Sequence, residues 1–91
     1  MPKYIIERKI PGVHQLNARD RKAAATKSNR ALSEVGPEIQ WVHSYVIGDK
    51  THCVYIASSE KLIHEHAKKS GFPADNIYEV SYILEPGAAE G

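Results

Sequence analysis

The placement of its chain breakers constrains this sequence more than any other feature. Pro11-Gly12, Gly36-Pro37, Gly48-Asp49-Lys50, Ser58-Ser59 and Gly71-Phe72-Pro73 cut the chain into short segments whose patterning alternates between strand and helix. Lys3 to Ile10 is rich in β-branched and aromatic types and reads as a first strand. Asn17 can cap a helix with Asp20 at its third position, and that helix runs to Val35. Residues 39–47 and 51–57 are two β-type runs joined as a hairpin. Ser58 or Ser59 then caps a second helix with Glu60 near its positive end, and Gly71 suits the left-handed position after it. Residues 77–84 read as the last strand.

Strand, helix, strand, strand, helix, strand is the split βαβ order. It predicts an α+β, ferredoxin-like sandwich over residues 1–85, with an antiparallel four-stranded sheet, both helices on one face, and a flexible tail over 86–91. Right-handed crossovers place the first and third strands in the centre of the sheet. The first helix should face inward with Ala24 or Ala25, Ser28, Ala31 or Leu32, and Val35, small enough to let it lie close on the sheet. Its basic residues Arg19, Arg21, Lys22, Lys27 and Arg30 read as a solvated face. The other sheet face is left bare. At 91 residues such a domain buries only roughly 60–65 % of its unfolded surface. A bare face on so small a core predicts a homodimer.

The formal net charge of +1 gives no global pull on nucleic acid or anionic lipid, and neither is expected as a partner. The one cysteine, Cys53, allows no intrachain disulfide. No run reaches membrane-spanning length and the start lacks a long apolar stretch, so a cytoplasmic protein is expected.

Alternation in the strands predicts what the bare face carries. Val42 and Val46, with Val54 and Ile56, are assigned to the core. Trp41, His43, Tyr45, Cys53 and Tyr55 then emerge on the open side, joined by Glu7. This needs a three-residue turn that sets Tyr45 opposite Cys53 and His43 opposite Tyr55, and a one-residue slip would separate the two sets. Imidazole, thiolate and carboxylate in one place suit nickel, zinc or copper, although no spacing here is diagnostic of a metal motif. The same aromatic residues also suit a dimer interface. Cys53 alone reads as a small apolar filler or as a nucleophile with His43 as its base. His66 lies on the apolar stripe of the second helix, as a metal ligand or as a core-edge histidine donating to a backbone carbonyl. His64 should be solvated, His52 should point to the helix side, and His14 lies in a loop. No phosphate-binding glycine loop or Cys-x-x-Cys pair is present.

Several blocks together resemble a known family. Lys3-Tyr4-Ile5-Ile6-Glu7-Arg8, Trp41-Val42-His43-Ser44-Tyr45-Val46, Cys53-Val54-Tyr55, Glu65-His66-Ala67 and Gly71-Phe72-Pro73-Ala74 are similar to small bacterial proteins long catalogued as a domain of unknown function and grouped around an actinobacterial nickel-binding member. The resemblance spans nearly the whole chain. It implies a ferredoxin-like homodimer that binds nickel, and its blocks contain His43, Cys53 and His66 with Tyr45 and Tyr55 beside the first two. The expectation is therefore a divalent metal, nickel first, held by His43 with Cys53, Glu7 or His66 in a dimer cavity lined by Trp41, Tyr45 and Tyr55. The alternatives are a cofactor-independent small-molecule enzyme, with His43 as general base and Tyr45 or Tyr55 orienting a carbonyl, or a dimeric interaction module.

Overall fold

A computed structural model describes residues 1–90 of the chain. Its regular elements are β1 (Lys3–Lys9), α1 (Ala18–Val35), β2 (Ile39–Ile47), β3 (Lys50–Ala57), α2 (Glu60–Ser70) and β4 (Asn76–Glu79), with short 3-10 turns at Val13–Gln15 and Pro86–Glu90. The sheet order is β2-β3-β1-β4 and every neighbouring pair is antiparallel, so the first and third strands are central. Both helices cover one face. This is the ferredoxin-like α+β arrangement. Gly91, the end of the expected tail, lies outside the described residues.

Local chemistry accounts for the helix ends. The Asn17 side chain accepts a 2.8 Å hydrogen bond from the Asp20 N–H, satisfying one of the free donors at the start of α1. Gly71, at φ +77°, closes α2 in the left-handed region that a residue with a Cβ adopts at a cost. Ser59 occupies the N-cap of α2 but makes no capping bond; Ser58 instead donates its hydroxyl to Glu38 at 3.0 Å.

The core gathers Tyr4 and Ile6 of β1, Ile39 of β2, Cys53, Tyr55 and Ala57 of β3, and Ile63 of α2. Ile6 and Ile63 are fully buried and contribute about 1.5–3 kcal/mol each. The alternation of β3 is therefore the reverse of the one expected: Cys53 and Tyr55 face the helices, while Val54 and Ile56 face the open side. The cause is the hairpin. Its turn is two residues long, Gly48 and Asp49, with Ile47 paired to Lys50. A positive φ at Gly48 (+58°) and none at Asp49 is the order of a type II′ turn. One residue fewer in the turn sets His43 opposite Val54 and Tyr45 opposite His52. A β-bulge between Trp41 and His43 then absorbs Val42, and Trp41 pairs with Tyr55 on the helix side.

The last strand also ends early. Its ladder with β1 covers Asn76–Glu79 and is followed by one bond, from the Val80 N–H to the Lys3 carbonyl at 2.8 Å. Residues 81–84 are consequently outside the ladder, with Tyr82, Ile83 and Leu84 at 77, 60 and 77 % exposure.

Candidate functional site

The reversed β3 divides the expected ligand group between the two sides of the sheet. Glu7, His43 and Tyr45 lie on the open face, as alternation in β1 and the upper part of β2 predicts. Cys53, Tyr55, Trp41 and His66 lie beneath the helices. His52, expected on the helix side, is on the open face instead. Among the described residues no group of three or more His, Cys, Asp or Glu is placed to hold a metal ion.

On the open face β1 and β3 bring Glu7 directly opposite His52, and β4 brings Asn76 to the other side of Glu7. The carboxylate is held from both sides. Asn76 donates its Nδ2–H to Oε1 at 2.8 Å, and Oε2 lies 3.3 Å from Nε2 of His52. Asn76 is the main cause, and Lys50 and His52 lesser ones, that hold the Glu7 carboxyl below its ordinary value of 4.5, against the desolvation that would raise it. If Nε2–H of His52 donates to the carboxylate, Nδ1 remains a buried lone pair, and no hydrogen-bond partner reaches it. The site thus offers one anchored carboxylate oxygen and one imidazole nitrogen facing it, two donors of the kind a borderline divalent metal takes. His43 and Tyr45 continue the same face, their rings edge to face at 4.9 Å.

On the helix side each remaining candidate has a local partner. Nε2 of His66 lies 3.2 Å from the Ser28 hydroxyl and 3.4 Å from the Ser28 carbonyl, which can only accept, so this nitrogen carries the proton. Burial first, and the Arg8 cation second, keep His66 below its ordinary value of 6.5 and hence neutral. Burial likewise raises the Tyr55 hydroxyl above 10.0. The Cys53 thiol faces Thr51 Oγ1 at 3.5 Å. The Trp41 indole donates to the Ser44 hydroxyl at 2.9 Å.

Between α1 and the sheet lies a cavity of about 280 Å³, which the expectation of a close-lying helix did not foresee. Ala24, Ala25 and Ser28 are too short to fill the span above Cys53 and Tyr55, so the stripe of small residues leaves a void rather than a tight seam. His43 does not line it. Arg8 does, and it was not among the candidates. The signal was present in the sequence: Arg8 continues the period-two row of Tyr4 and Ile6 into the core, a position where a cation is rare unless paired.

A family model described as "Nickel responsive protein SCO4226-like" matches residues 4–80. Among solved structures, the crystal structure of SCO4226 from Streptomyces coelicolor A3(2) superposes with a TM-score of 0.73 at 13 % identity, covering 90 % of this chain and 99 % of that one. That likeness is one of fold. No curated protein matches the chain.

Proposed function

The chain belongs to the nickel-responsive SCO4226-like family, and from that premise we propose that it is a cytoplasmic homodimer that binds a divalent transition metal, nickel first, on the open face of its sheet. The observation that supports this reading is the Glu7–His52 pair, Oε2 and Nε2 3.3 Å apart on the open face with the carboxylate anchored by Asn76. Glu7 Oε2 and the His52 Nε2 that faces it would hold the ion, which takes the place of the proton between them, with His43 the next nitrogen donor along the same face. A second copy, approaching open face to open face, supplies the donors that one chain lacks. Asn76 acts as the outer partner that fixes the carboxylate, a role that commonly sets metal affinity. The residues beneath the helices, Cys53 and His66, are assigned no ligand role in this reading, because their partners are within the core.

The uncovered face has the surface a second copy needs. Tyr45 and Tyr78 are 56 and 53 % exposed on it, large amphipathic rings of the kind enriched at protein interfaces. Calorimetric titration of tag-free protein with nickel and with zinc tests the proposal. His52→Ala and Glu7→Gln are expected to remove saturable binding, and Cys53→Ser to leave it intact. Binding indifferent to both open-face variants refutes the assignment.

A further inference from the structure

On the opposite side of the sheet we infer a second, unrelated binding site: the cavity under α1 takes a small organic carboxylate, with its charge on Arg8 and its apolar body against Trp41 and Phe72. Arg8 is 2 % exposed and lines this cavity, yet it forms no salt bridge among the described residues. Its Nε and Nη2 are both buried without a hydrogen-bond partner. A buried guanidinium left so is strongly unfavourable, since the cost of leaving water is met by no opposite charge. Stacking over the Tyr55 ring, at 5.7 Å from its centroid, offsets only part of that.

The two unpartnered atoms are informative as a pair. Nε and Nη2 form the edge of the guanidinium whose N–H bonds run parallel, and this fork matches the two oxygens of a carboxylate. Around it the cavity wall is mainly apolar, Ile10, Val13 and Leu16 included; Arg21 also borders it, but it is exposed and its Nε–H is donated to the Leu16 carbonyl at 2.9 Å. The volume of about 280 Å³ is ample for an aryl or short branched acid. Hydroxyls of Ser28 and Thr51 lie in the same wall and leave the ligand neutral donors besides Arg8. None of these residues belongs to the Glu7–His52 site, so the inference stands or falls apart from metal binding.

Trp41 is the sole tryptophan of the chain and lines the cavity, so its fluorescence reports occupancy directly. The probes are benzoate, phenylacetate and isovalerate, each compared with its neutral amide at fixed ionic strength in metal-free buffer. At least one acid is expected to give a saturable Trp41 response and a raised melting temperature, with its amide at least tenfold weaker. Arg8→Met should abolish the preference for acid over amide, and its melting temperature without ligand should match or exceed that of the wild type, because an unpaired buried charge is gone. Ala25→Leu, which fills the cavity and keeps Arg8, should lose binding while remaining folded. No saturable response across the series, equal binding of acid and amide, or affinity retained in Ala25→Leu overturns the inference.

Discussion

His66 is fully buried and neutral, and its effect on stability follows from the direction of its shift. Its folded-state value lies below the ordinary 6.5, so the unfolded chain binds this proton more readily than the folded one. The contribution is complete above about pH 6.5 and is lost as pH falls toward the depressed folded value. Urea unfolding at pH 7.5 and 5.5 should show lower stability at the acid value, and His66→Gln should flatten that dependence. Glu7 behaves as an acid with the same sense: its contribution is held above 4.5 and fades as pH drops through its lowered value. Asn76→Ala should bring the Glu7 carboxyl back toward 4.5, read by NMR titration, and weaken nickel binding by about 10-fold. That His66 packs inward was legible from its place on the apolar stripe of α2. Arg8 was legible only through its strand period, which places it in the core with Tyr4 and Ile6, because an arginine carries no metal-ligand or nucleophile signature.

The elements were legible where glycine, proline and capping residues mark their ends, as at Asn17, Gly36 and Gly71. What failed was the phase of one strand. Gly48 leads a two-residue turn rather than a three-residue one, and because side chains alternate with a period of two, that single residue carried Cys53 and Tyr55 to the opposite face. Val42, exposed in the bulge, then lets Trp41 return to the core side while His43 stays outside. A bulge of this kind leaves no mark in hydropathy, because Trp-Val-His reads equally well as regular alternation. Deleting Val42 joins Trp41 directly to His43, and the two then alternate regularly in the registers they already occupy, so the variant should fold with both side chains on their present faces. The expected change is about 1 kcal/mol or less, measured as a shift in the urea midpoint at constant m; a loss of several kcal/mol would contradict the bulge assignment.

For the whole molecule, the fold class was readable because it depends only on the order of elements, whereas the site depends on register between them. Tyr45 and Tyr78 on the open face, and Tyr82, Ile83 and Leu84 beyond β4, are large apolar side chains exposed to water. The proposed dimer covers Tyr45 and Tyr78. Sedimentation velocity should then give a dimer for the wild type and a monomer for the Tyr45→Arg, Tyr78→Arg double variant, with unchanged far-ultraviolet circular dichroism. The measurement that bears most directly on the account is nickel titration of tag-free protein with the chain concentration fixed independently. The account predicts saturation at one nickel per two chains, lost in His52→Ala and retained in Cys53→Ser; saturation that survives His52→Ala but disappears in Cys53→Ser would contradict it.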